Sequence, residues 1–136
     1  MRVVDASVLC DFLLGRDAAV EALLGTPEEE HQPLHCPELV EPETLNALRR
    51  LVRSGDLDAR RAGEAVADLA EMRVIRHSHA PLRPRVWALR DNLTAYDATY
   101  LALAEAIDGS VLLTADAGLA DQARMALGAR RVRHVA

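Results

Sequence analysis

Apolar positions along this chain switch between two spacings. Short apolar runs at Val3-Val4, Leu34-His35-Cys36, Val74-Ile75, Ser110 to Thr114 and Val132 to Val135 have the length and β-branched content of buried strands. Between them apolar residues recur at every third or fourth position, the period of a helix with one buried stripe. Ala6 to Leu14 forms such a segment and stops at Gly15; Asp17 opens another through Val20, Leu23 and Leu24, closed by Gly25. Thr26 to Pro33, with Glu28-Glu29-Glu30, is expected to be a polar surface loop. Leu45, Leu48, Leu51 and Val52 then share a stripe opposite Arg49, Arg50 and Arg53, on a helix whose first turn holds Pro42. Ser54-Gly55 interrupts this pattern, and Asp58 starts a helix carrying Ala62, Ala65, Val66, Leu69 and Met72. Further helices are expected over Arg85 to Asn92, Thr94 to Ile107 and Asp116 to Leu127.

Single strands separated by one or two helices cannot pair as hairpins, so the expected class is α/β. The architecture is a mostly parallel five-stranded sheet with helices on both faces. A chain of 136 residues, without repeats or a low-complexity linker, is expected to form one domain over residues 1–136.

Composition narrows the picture. Half the residues are hydrophobic but only 3% are aromatic, so the core must be aliphatic. No apolar run has membrane-spanning length, and the amino terminus lacks a leader pattern, so no membrane association is expected and the location expected is cytoplasmic. Cys10 and Cys36 lie in apolar surroundings without metal-ligand spacing and are expected as reduced, buried thiols. His77 and His79 form an H-x-H pair without further ligands nearby, which suggests exposed loop histidines. The net charge of −5 opposes coating of nucleic acid by electrostatics alone. All 16 basic residues are arginine, however, and arginine suits bidentate phosphate contact; most of them are expected on solvated faces.

Candidate chemistry centres on four acids. Asp5 ends the first strand, at the edge where ligands bind in open α/β sheets. Asp97 lies in the first turn after Thr94, Asp116 follows the fourth strand by two residues, and Glu43 enters near a helix amino end. Each is singly explained as a cap or a dipole-favoured acid. Independent caps need not share one sheet edge, however, and two carboxylates ~4 Å apart repel by about 4 kcal/mol at an effective dielectric near 20. A cluster of such acids calls for a cation, and oxygen-only donors select Mg²⁺ or Mn²⁺.

The opening Val4-Asp5-Ala6-Ser7-Val8-Leu9, the segment Glu43-Thr44-Leu45-Asn46-Ala47-Leu48-Arg49-Arg50, Thr94-Ala95-Tyr96-Asp97-Ala98, and Leu113-Thr114-Ala115-Asp116 with Leu119-Ala120 resemble, in that order, the PIN domain, specifically VapC-type toxins of toxin–antitoxin pairs. The resemblance implies a PIN-like fold and a Mg²⁺- or Mn²⁺-dependent endoribonuclease that hydrolyses RNA phosphodiesters with water activated at an acidic site. It implies Asp5 and Asp97 as metal ligands, Glu43 and Asp116 as completing the catalytic pocket directly or through water, and Thr114 and Ser7 as hydroxyls that orient the acids. It further implies arginines gripping phosphates at the rim, a homodimer, and a cognate antitoxin whose extended tail fills the cleft. Pro42, directly before Glu43, departs from the family pattern, and Glu41 is the alternative donor should the helix start be displaced.

Other α/β families fit less well. A receiver domain needs a lysine and this chain has none; a haloacid-dehalogenase-type phosphatase wants an aspartate where Ser7 stands; a dinucleotide fold needs glycines where Ala6-Ser7 follow Asp5. The remaining alternative is a catalytically silent PIN-like module that acts by binding protein or RNA. Tyr96 and Trp87 are each able to meet a base, but packing in the core or an interface is the expected role.

Overall fold

The computed structural model describes residues 1–25 and 32–135; most of the expected loop Thr26 to Pro33, including its glutamate run, lies outside the described residues. Strands β1 (Arg2–Val4), β2 (Leu34–Pro37), β3 (Val74–His77), β4 (Val111–Thr114) and β5 (Val132–His134) form one sheet in the order β3-β2-β1-β4-β5. Every pairing is parallel, with Val3 opposite both His35 and Leu112. The helices are α1 (Ala6–Leu14), α2 (Ala18–Leu24), α3 (Val40–Ser54), α4 (Ala59–Glu71), α5 (Arg83–Ala88), α6 (Ala95–Ala106) and α7 (Ala117–Leu127). Each expected strand and helix is present, with ends shifted by one or a few residues.

The chain builds outward from β1 through β2 to β3, then crosses back to lay β4 on the other side of β1. That reversal leaves a crevice between the carboxyl ends of β1 and β4. Alternation along β1 divides the core. Val4 packs with Leu34, Cys36 and the inner stripes of α1, α2, α3 and α4, whereas Val3 packs with Leu112 and with α6 and α7. Helix α6 is buried on nearly every side, from Ala98 through Ala104. Alanine makes this possible, because a helix pressed between a sheet and two neighbours needs small side chains where backbones approach.

Helix ends follow local chemistry. Asp5, Asp17, Thr94 and Asp116 each accept backbone amide protons from their first turn, and Gly15 and Gly55 end α1 and α3 with φ of 62° and 83°, where a Cβ would be strained. Pro42 occupies the first turn of α3, where it removes no intrahelical bond. Both cysteines are buried and unpaired; the Cys36 thiol donates to Val4 O at 3.2 Å, and burial pushes it up to about 12.

Of the two histidines expected in an exposed loop, His79 is there and His77 is not. His77 ends β3 rather than standing in a loop, and its Nε2 lies 2.9 Å from Nδ1 of His35, with the rings stacked. His79 Nε2 accepts the amide proton of Leu39 just ahead of α3. The parallel register of β2 and β3, invisible in sequence, creates the His35–His77 pair.

Candidate active site

Asp5 leaves β1 with its amide still donating to Leu113 O of β4, so its carboxylate is set at the sheet edge beside the end of the neighbouring strand. It is 6% exposed, and three donors converge on it. Val8 N and the Ser7 hydroxyl donate to Oδ1 at 3.0 and 2.7 Å, and the Thr114 hydroxyl donates to Oδ2. The Thr114 oxygen in turn accepts the amide proton of Asp116 at 3.0 Å. One buried hydroxyl therefore couples the ends of β1 and β4 and fixes both acids.

Cap and site are the same residues. Asp116 accepts from Leu119 N with Oδ1 at 2.7 Å and lines the crevice. Thr94 accepts the amide proton of Asp97 at 3.2 Å. The reciprocal bond of a capping box, from Thr94 N–H to the Asp97 carboxylate, is absent among the described residues. Asp97 is thus held by its backbone while its side chain enters the cleft.

Glu43 arrives from α3, and its Oε1 accepts a 2.6 Å hydrogen bond from the hydroxyl of Tyr100, one turn along α6 from Asp97. Tyr100 is buried, and burial and the bond to Glu43 push its phenol far above the usual range. The sequence reading missed this residue. The available signal was its i, i+3 spacing from Asp97, which puts the two on one helix face. Glu41, the alternative donor, instead pairs with Arg76 on the edge strand β3, while Glu43 lines the cleft.

Asp5, Ser7, Glu43, Arg50, Asp97, Tyr100 and Asp116 line one cleft of about 300 Å³. All four sequence-nominated acids and Ser7 reach it, and Thr114 stands directly behind Asp5. Electrostatics register the crowding. Burial raises the Asp97 carboxyl to about 6, helped by the charges of Asp116, Asp5 and Glu43. Asp5 is also raised, mainly by burial and against the pull of its hydrogen bonds from Thr114, Val8 and Ser7. Arg50 is the basic side chain in the lining. Among the described residues no three acids, histidines or cysteines converge tightly enough to form a ready-made cage. The donor set, four carboxylates around an open cleft, suits a hard cation that retains several waters rather than one enclosed by protein.

Residues 2–125 match the sequence profile of the PIN domain. The chain belongs to the PIN domain family. Among PIN relatives, the VapC ribonuclease Mb0985 of Mycobacterium bovis is 39% identical over 121 residues, spanning 89% of this chain and 90% of that protein. Ribonuclease VapC1 of Mycobacterium tuberculosis is 40% identical over 119 residues, 87% of each chain. Among solved structures, PAE2754 from Pyrobaculum aerophilum superposes with a TM-score of 0.65 at 25% identity, covering 98% of this chain and 88% of that one. No helix among the described residues of this PIN protein is long and apolar enough to cross a membrane.

Proposed function

We propose that this PIN protein is a VapC-type toxin, a divalent-metal-dependent endoribonuclease that hydrolyses RNA phosphodiester bonds. The observation that carries this reading is the convergence of Asp5, Glu43, Asp97 and Asp116 on one cleft, in a chain about 40% identical to named VapC ribonucleases. Asp5 and Asp97 are the proposed principal metal ligands, with Glu43 and Asp116 completing the set directly or through water. A bound Mg²⁺ or Mn²⁺ supplies positive charge that eases deprotonation of the attacking water and neutralises the phosphate as it reacts.

The chain's own residues do the positioning. Thr114 and Ser7 lock the Asp5 carboxylate by donating to its two oxygens, so it meets an ion without reorganising. Tyr100 holds Glu43 from the opposite wall. Arg50 at the rim is placed to grip a phosphate beside the scissile bond. The acids repel a bare polyanion, so the cleft must hold its cation before or as the substrate phosphate enters. The proposed partners are RNA, a cognate antitoxin that fills the acidic cleft, and a second copy in a homodimer. A catalytically silent module would need an eroded site, and all four acids line this one.

The test is cleavage of a pool of structured RNAs by antitoxin-free protein with Mn²⁺, Mg²⁺ or EDTA, alongside Asp5→Asn. Metal-dependent cuts that vanish in the variant are expected. Cutting that survives EDTA, or a variant as active as the parent, overturns the reading.

A further inference from the structure

The only tryptophan in the chain, Trp87, is 68% exposed although it sits on a helix packed against the protein. A large apolar ring left in water is uncommon unless something else covers it. Its surroundings are basic. The Arg90 guanidinium lies 4.6 Å from the ring centroid, and its Nη1 donates to Trp87 O at 2.9 Å, so ring and cation are held as one unit. Arg83, on the same short helix, is exposed, and among the described residues neither Arg83 nor Arg90 has an acidic partner within 4 Å. Other arginines are engaged, as Arg61 is by Glu64 and Asp68 or Arg131 by the carbonyls of Ala104 and Ile107, whereas what sets Arg83 and Arg90 apart from other exposed arginines is the tryptophan beside them.

The fold ties this unit to α6, the helix whose amino end carries Asp97. Arg85 grips Glu105 through two bonds of 2.7 and 3.0 Å, which ties the start of α5 to the far end of α6. The chain must then return along α6 to Thr94, where Asp97 begins the site, and Trp87 and Arg90 lie on that return. Asp97 and Glu105 are separated by roughly 12 Å of helix at 1.5 Å per residue, a short run of polynucleotide. Tyr96, directly before Asp97 in the same first turn, is a second exposed ring at 61%.

We propose that Trp87, Arg90 and Arg83 form a stacking and phosphate-gripping platform for unpaired RNA, which holds the strand flanking the scissile bond. This rests on the ribonuclease reading for its choice of polymer. An exposed aromatic supplies a face on which any base stacks, the guanidinium extends that face, and the unpaired cations meet the phosphates on either side. Charge complementarity selects RNA over a protein partner here, because an apolar protein surface would leave Arg83 and Arg90 unpaired. The platform gives the acidic cleft an anchor for a polyanion that the cleft itself repels.

The single tryptophan makes the test direct. Short single-stranded RNA is titrated into Asp97→Asn protein in Mg²⁺ while Trp87 emission is followed, and labelled RNA reports affinity in parallel. Saturable quenching is expected, with affinity about ten-fold weaker in Trp87→Ala and largely retained in Trp87→Phe. On the cleaving background Trp87→Ala should raise KM and leave kcat nearly unchanged. Arg83→Ala and Arg90→Ala should each lower the salt dependence of binding by about one phosphate contact. Emission indifferent to RNA, or Trp87→Ala binding RNA as the parent does, overturns the platform. Emission that instead tracks protein concentration, with Trp87→Ala dissociating a dimer, also overturns it and assigns the ring to self-association. Quenching without cleavage by the parent would keep the platform and remove the nuclease reading.

Discussion

Replacing Asp97 with asparagine should stabilise the metal-free protein while abolishing its activity. The folded-state carboxyl titrates at about 6 instead of 3.8, because it is partly desolvated and faces Asp116, Asp5 and Glu43. At 1.36 kcal/mol per tenfold in proton affinity, that displacement disfavours the ionised folded form by at most ~3 kcal/mol. Asp97 is half-buried, so solvent screening reduces the figure to roughly half. The amino end of α6 favours a negative charge by about 0.5 kcal/mol, which the asparagine forfeits. A net gain near ~1 kcal/mol at pH 7.5 in EDTA remains, or a Tm rise of about 3–5 °C for a chain of this size. The sign with pH follows from linkage. Between 3.8 and about 6 the folded state binds more protons than the unfolded one, so this residue's contribution to stability is greatest below 3.8, falls as pH rises through that window, and is flat above it. The variant's advantage should therefore be present at pH 7.5 and gone by pH 4. Thermal melts of parent and variant across this range in EDTA decide the matter. An asparagine variant less stable than the parent at pH 7.5, or a stability difference independent of pH, would refute the claim that these acids repel one another in the folded protein.

Divalent metal should reverse that penalty: Mg²⁺ or Mn²⁺ at 100 times its dissociation constant should stabilise the parent by ~2.7 kcal/mol, read as a Tm rise that Asp5→Asn loses. Tyr100→Phe removes the donor to Glu43 while keeping the ring, and should cost about 1 kcal/mol in stability with roughly ten-fold lower cleavage, measured by denaturant melts and initial rates. Thr114→Val leaves Asp5 one donor short and the Asp116 amide unpaired, so it should destabilise by about 2 kcal/mol in denaturant and weaken metal affinity about ten-fold by calorimetry. Glu41→Gln breaks only the surface pair with Arg76 and should leave cleavage unchanged, which separates it from Glu43→Gln in the same assay.

The alternation of short apolar runs with helical periods was enough to determine an α/β sheet, because each segment's period dictates which neighbours can bury it. The caps were equally local: Asp5, Thr94 and Asp116 announce helix starts through side chains that reach only their own next turn. Motif order was sufficient to nominate the four acids. Whether they meet was decided by tertiary structure, through the crossing that sets β4 against β1 and brings Thr114 onto Asp5 from a distance of 109 residues. The same holds for Tyr100 on Glu43, for Arg76 drawing Glu41 away, and for His77 stacked on His35. Trp87 is the sharpest case, since its size and hydrophobicity call for a core or an interface, and the packing of α5 on α6 leaves it out of the core. Local sequence specifies periods and caps because those interactions span one turn; contacts between elements depend on register and crossing, which no short stretch of chain encodes.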